Sequence, residues 1–170
     1  GNPPHKEKNV YEEEKLEMTK LALGNTANLT IDDREVKKKA PSYAYSTLQE
    51  LKKENPDDIL VWIMGSDSFA SIDSWYCYEE FIDEVNLLVL ERPGYSIQKQ
   101  SVAYNILRSN QTFDLSDFKK DDNKIFLLKI NPIEINSTEI RKLIANNEDA
   151  TEFLHPNVYQ FIKTNNLYKK

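Results

Sequence analysis

The chain has 170 residues, 39% hydrophobic and 29% charged, with seven Phe, nine Tyr and two Trp, which suits one soluble globular domain over 1–170 and argues against a second independent core. A net charge of −6 and a pI near 5.1 exclude a duplex-DNA binder and give no reason to expect DNA or RNA as a partner, because phosphate neutralisation needs an exposed basic face. The single cysteine, Cys77, excludes an intrachain disulfide framework; with no apolar run near the ~20 residues of a membrane span, a cytoplasmic protein without a membrane partner is expected.

In chain order, a loop over 1–8 precedes a helix predicted from Val10 to Ala22 and ended by Gly24. The charge run Glu12-Glu13-Glu14-Lys15 reads as its solvated face. Leu29 to Ile31 is a short strand candidate, and Ser42 can cap a helix running to about Lys53. The apolar run Ile59 to Met64, closed by Gly65, has the pattern of a strand buried on both faces. A helix over Trp75 to Glu84, carrying Cys77 as a buried small hydrophobe, leads to a second such strand, Leu87 to Leu90. A helix over Val102 to Ser109, a polar surface excursion over Ser109 to Asn123, a strand from Ile125 to Ile130 and a last helix from Pro156 to Thr164, capped by His155, complete the chain. Strands alternating with helices indicate an α/β fold with a parallel sheet covered on both faces.

Ligands of open parallel sheets collect beyond the carboxyl ends of the strands. Gly65-Ser66-Asp67-Ser68 follows the strongest strand: glycine permits close backbone approach, and Asp67 can accept hydrogen bonds from sugar hydroxyls. Trp75 and Tyr76 offer flat apolar surface, although a turn followed by core aromatics explains the same segment. Arg92-Pro93-Gly94 places a guanidinium after the next strand, or simply turns the chain. Pro3-Pro4-His5-Lys6 presents an imidazole and an ammonium on a stiffened loop. Ile135-Asn136-Ser137-Thr138-Glu139-Ile140-Arg141 opens an amphipathic helix, whose first amides, two hydroxyls and a guanidinium suit an anion; an ordinary N-cap is the alternative. His5 and His155 are the only histidines, and no HExxH or cysteine pair occurs, so no protein-held metal is expected. Walker A, GxGxxG and GxSxG motifs are also absent.

Five of these segments, Pro3-Pro4-His5-Lys6, Ala40-Pro41-Ser42-Tyr43, Gly65-Ser66-Asp67-Ser68 with Trp75-Tyr76, Arg92-Pro93-Gly94 and Ile135 to Arg141, occur in one order over nearly the whole chain. Together they resemble the nicotinate mononucleotide adenylyltransferases of bacterial NAD synthesis, with Asn136 where that family's last motif carries serine. The resemblance implies a Rossmann-like doubly wound parallel sheet and transfer of the adenylyl group of ATP to nicotinate mononucleotide, giving deamido-NAD and pyrophosphate. It implies that His5, Lys6, Arg92, Ser137, Thr138 and Arg141 hold ATP and its phosphates, with Lys6, Arg92 and Arg141 supporting the transfer. It further implies that Trp75 stacks on the nicotinate ring, that amides around Tyr43, Ala44 and Tyr76 receive its carboxylate, and that Gly65 and Asp67 lie near the sugars. Mg²⁺ is expected to accompany ATP.

The family's first strand, Gly-rich turn and His-x-Gly-His motif do not appear among these residues. The chain is therefore expected to be the carboxyl portion of a nucleotidyltransferase domain that lacks its first strand-helix-strand unit. The strand at Ile59 would then expose an apolar edge, open to a homo-oligomer or to a chain supplying the missing strands. A mononucleotide-binding module without chemistry and a phosphopantetheine adenylyltransferase are the alternatives.

Overall fold

The computed structural model describes residues 12–38, 41–91, 96–131 and 136–169. Its helices, in chain order, are α1 (Glu12–Leu23), α2 (Arg34–Lys37), α3 (Ala44–Glu54), α4 (Ser66–Ala70), α5 (Tyr78–Asp83), α6 (Val102–Asn110), α7 (Ser137–Ala145) and α8 (Pro156–Thr164). Its strands are β1 (Val61–Gly65), β2 (Asn86–Glu91), β3 (Gln111–Thr112) and β4 (Ile125–Lys129). They fall into two compact units, one within 43–132 and one drawn from 1–42 and 133–170.

The first unit is α/β. Its four strands form a wholly parallel sheet in the order β1-β2-β4-β3, the Rossmann-like arrangement expected. Register aligns Trp62 with Leu87 and Met64 with Val89, then Leu87 with Ile125 and Val89 with Leu127, so these side chains form one face of the sheet. Leu48 of α3, Phe69 of α4, Phe81 of α5, Ala103 of α6 and Ile72 cluster with that face in a fully excluded core. The opposite face differs from the expectation of strands buried on both sides. Val61 is 40% and Ile63 61% exposed, and Leu128 is 39% exposed. Both apolar runs therefore bury alternate residues, because the helices of this unit lie against one face. β1 stands at the sheet edge among the described residues.

Other local differences have identifiable causes. Leu29 to Ile31 forms no strand: Leu29 is exposed, and Asp32 accepts hydrogen bonds from the backbone and side chain of Arg34 at the start of α2. Tyr43, not Ser42, is the N-cap of α3. The helix expected over Trp75 to Glu84 is broken, with a 3-10 turn at Ile72–Ser74, Trp75 in extended backbone, and Cys77 half-buried at φ 52° rather than inside a helix. A left-handed residue cannot continue a right-handed helix, so α5 starts only after it.

The polar stretch 109–123 is not a bare excursion. β3 pairs with β4, and Leu115–Lys119 is a 3-10 turn that buries Phe118. Thr112 Oγ1 donates to Asp117 Oδ2 at 2.5 Å and accepts from the Asp114 amide at 3.1 Å. Fully buried Asn86 accepts from the Lys124 amide at 2.9 Å and donates to the Phe118 carbonyl at 3.3 Å, so a polar core residue anchors the segment to β2.

The second unit is helical among its described residues. Ile144 of α7, Val158 and Ile162 of α8, Ala150 and Leu167 form its core, with Met18 and Leu21 of α1 against it. Both longer helices after residue 136 end in the same way. After α7, Asn147 takes φ 59°, and the Glu148 and Asn147 amides donate back to Leu143 and Ile144 at 2.8 and 3.1 Å. After α8, Asn166 takes φ 50°, and the Leu167 and Asn166 amides donate to Ile162 and Lys163 at 3.0 and 3.3 Å. These are Schellman endings with Asn supplying the left-handed residue.

Glu84 ties α3 to the residue following α5: Gln49 Nε2 donates to it at 2.7 Å, Tyr45 Oη at 3.3 Å, and Lys52 Nζ lies 3.4 Å away. Burial alone would raise the Glu84 pKa, but the bonds from Gln49, Lys52 and Tyr45 outweigh it and hold the carboxyl below its ordinary value. A depressed carboxylate stabilises the fold in full above its unfolded pKa, and the contribution disappears as pH falls through the lower folded value. Urea unfolding should therefore show Glu84→Gln less stable than the parent at pH 7 and equal to it in strong acid; a gap that persists in acid would remove the charge-based account.

Candidate nucleotide site

Parallel pairing brings the carboxyl ends of β1 and β2 to one sheet edge, with Gly65 opposite Leu90. At that edge the chain enters α4 through Gly65-Ser66-Asp67. Gly65 has an ordinary φ of −79°, so left-handed freedom is not why glycine stands there. A Cβ at this position would instead collide with Asp67 Oδ1. The Asp67 carboxylate thus folds back over the Gly65 backbone and is half-buried at the strand end.

The expected aromatic residues Trp75 and Tyr76 lie on the α4–α5 connection. Trp75 is half-buried with its ring 5.6 Å from that of Phe81, whose ring also meets Trp62 edge-on at 5.3 Å. Core packing thus braces the indole while part of it remains accessible. Tyr76 follows in the open, 57% exposed, and its ring lies 4.9 Å from that of Tyr43 at the start of α3. The adjacent Cys77 thiol, through hydrogen bonding first and charge second, raises the Tyr76 pKa above its ordinary value. Tyr43 gives α3 no side-chain cap, and Ala44 is the first helical residue. The structure therefore brings Tyr43 and Tyr76, with Ala44 beside them in sequence, to one place in this unit.

The helical unit carries the other group of expected residues. The N-cap of α7 is Asn136: its Oδ1 accepts from the Thr138 and Glu139 amides at 3.0 and 3.1 Å, while Glu139 Oε2 accepts from the Asn136 amide at 3.2 Å. This capping box changes the expectation for an open helix start, because two of its first-turn amides already have an acceptor. What stays presented to solvent are the exposed Ser137 and Thr138. Arg141, one turn along, donates from Nη2 to Ser137 Oγ at 2.9 Å. One residue here escaped the sequence reading: Tyr168, whose ring lies 6.0 Å from the Arg141 guanidinium carbon. The Asn165-Asn166-Leu167 run, with Asn suited to a left-handed stop and an apolar residue after it, is the sequence signal of the turn that puts Tyr168 there.

His5, Lys6, Arg92 and the neighbouring Ala40, Pro93, Gly94 and Ile135 lie outside the described residues. His155 accepts from the Asn157 amide through Nδ1 at 3.3 Å and caps α8, as expected. Among the described residues no cluster of three or more His, Cys, Asp or Glu side chains is placed to hold a metal, and no helix is long and apolar enough to cross a membrane.

A cytidylyltransferase-like family model matches residues 1–143. Two relatives, from Aeromonas hydrophila and Psychromonas ingrahamii, are 32% and 35% identical over 98% of this chain and 79% and 78% of their own lengths; each is named "Probable nicotinate-nucleotide adenylyltransferase". A Clostridium tetani protein of the same name is 33% identical over 99% of the chain and 80% of its own. The fold is shared with a Plasmodium falciparum nicotinic acid mononucleotide adenylyltransferase solved with NaAD, at a TM-score of 0.69 and 19% identity over 98% of this chain and 78% of that one.

The capping box makes a checkable claim about α7. Asn136→Ala should cost about 1 kcal/mol of stability in denaturant unfolding, while Asn136→Ser, which keeps an acceptor, should retain most of it. Equal losses in the two variants would show that the cap does not matter.

Proposed function

Because the chain belongs to the cytidylyltransferase-like family, and within it to the nicotinate-nucleotide adenylyltransferases, we propose that it transfers the adenylyl group of ATP to nicotinate mononucleotide, producing deamido-NAD and pyrophosphate, and that it does so in the cytoplasm as one nucleotidyltransferase domain. The near full-length match to relatives of that name carries this reading. The arrangement of the strand-end residues supports it.

In this reading a phosphate oxygen of the mononucleotide attacks the α-phosphorus of ATP, and the bond to the bridging oxygen breaks, so that pyrophosphate leaves with the electron pair. The protein's part is alignment and the stabilisation of charge. Trp75, braced by Phe81, presents its ring to the nicotinate ring. Amides at Tyr43, Ala44 and Tyr76 receive the nicotinate carboxylate, and Gly65 and Asp67 meet the sugar. Ser137 and Thr138 donate hydroxyls and Arg141 its guanidinium to the ATP phosphates, with His5, Lys6 and Arg92 on the same substrate. These donors suit phosphate oxygens rather than a cation, so Mg²⁺ enters as part of the MgATP substrate and not in a protein cage.

The test is product formation from MgATP and nicotinate mononucleotide by the whole protein, with deamido-NAD and pyrophosphate measured together. Both should appear in equal amounts; binding without turnover, or turnover only with phosphopantetheine, would overturn the assignment. Trp75→Ala should raise the KM for the mononucleotide roughly tenfold, the scale of base–aromatic stacking, with little change in the KM for ATP. Gly65→Ala should fold, because the colliding Asp67 oxygen ends a flexible side chain that can swing away. The displaced carboxylate should still raise the mononucleotide KM, and an unchanged value would take Asp67 out of the site.

A further inference from the structure

Arg141 is held from two sides within the helical unit. Ser137 Oγ accepts from Nη2 at 2.9 Å, one helical turn back, and the Tyr168 ring lies 6.0 Å from the guanidinium carbon. The backbone goes to some cost to bring that ring there. α8 stops in its Schellman turn, Leu167 is buried at 8% exposure, and Tyr168 itself takes φ 60°, a region that bulky residues avoid. Two consecutive reversals anchored by a buried leucine thus turn Tyr168 back toward α7. An aromatic face within ~6 Å of a guanidinium attracts it, and a flat ring limits the orientations that a long, flexible side chain can sample.

We propose that Tyr168 is a positioning residue for Arg141, its ring acting with the Ser137 hydroxyl to hold the guanidinium as it meets the phosphates of ATP. The inference rests on the reading that Arg141 binds those phosphates. Arginine is most effective on phosphate when its planar fork is oriented before the ligand arrives, since less rotamer freedom is then lost on binding. Ser137 uses one of the five guanidinium N–H groups and the ring uses none, so these two contacts among the described residues leave the other donors to the nucleotide.

The test is equilibrium binding of MgATP and, separately, of nicotinate mononucleotide to the whole protein and its variants. Tyr168→Leu keeps apolar bulk but removes the ring, and should weaken MgATP binding ~2- to 5-fold, the range of an accessible cation–π contact, while leaving mononucleotide binding unchanged. Tyr168→Phe should restore binding toward the parent. In an Arg141→Ala background Tyr168→Leu should cause no further loss, since the ring acts through the guanidinium. Should Tyr168→Leu not fold, Tyr168→Met serves as the second non-aromatic form. The proposal is overturned if Tyr168→Phe loses as much as Tyr168→Leu, if the loss persists without Arg141, or if Tyr168→Leu binds MgATP as the parent does while Arg141→Ala does not. If Arg141→Ala itself binds MgATP normally, the assignment of Arg141 to the phosphates fails, and the role of Tyr168 fails with it.

Discussion

Parallel pairing of β2 with a strand on each side is the constraint on which the α/β unit depends. β2 exchanges hydrogen bonds with β1 and β4 in matched registers, so Leu87 and Val89 can sit at the centre of a single excluded face. The same pairing makes the strands run in one direction and end at one edge. The Gly65 turn leaves β1 at that end, and the core that braces Trp75 through Phe81 is the cluster filling the buried face. Fully buried Asn86 extends the arrangement, since its side-chain bonds hold the entry to β4 and the 3-10 turn before it.

In the helical unit the equivalent constraint is how the helices begin and end. A helix leaves its first amides and last carbonyls without internal partners, and each must be satisfied locally. Asn136 and Glu139 satisfy the start of α7 reciprocally, and left-handed Asn147 and Asn166 satisfy the ends of α7 and α8. These devices set chain direction as well as stability. The first exposes Ser137 and Thr138 at the head of α7, and the last directs Tyr168 onto Arg141. Both groups of expected site residues are therefore placed by elements whose stability comes from somewhere else: a buried sheet face in one unit, and capped helix ends in the other.

Much of this was legible in the residues. The apolar runs marked β1, β2 and β4 to within two residues, and the helices expected over Val102 to Ser109, after the 135–141 motif and over Pro156 to Thr164 are α6, α7 and α8. The exceptions share a cause. Leu29 to Ile31 has strand-forming side chains, yet Asp32 and Arg34 engage each other and the backbone passes into α2. The pattern over Trp75 to Glu84 is helical, yet Cys77 adopts φ 52°. Polar residues at 109–123 looked like loop, yet Thr112, Asp114 and Asp117 satisfy one another closely enough to bury Phe118. In each case a specific hydrogen bond or backbone state overrode a local preference worth only fractions of a kcal/mol per residue.

The amino-acid sequence by itself determined the fold class, the order of the three longer strands and most helices, the family and the chemical types of the candidate site, because periodicity, glycine and ordered motifs act through local propensity and short-range spacing. Only the tertiary structure decided which half of each apolar run is buried, what occupies the space a Cβ at Gly65 would take, and which rings touch. The collision at Gly65 depends on where Asp67 folds, the Tyr43–Tyr76 pair joins residues 33 positions apart, and the Arg141–Tyr168 contact closes a loop of 27. The two ring contacts exist only after the chain has packed, and a local pattern such as Asn165-Asn166-Leu167 encodes the turn but not the partner it meets.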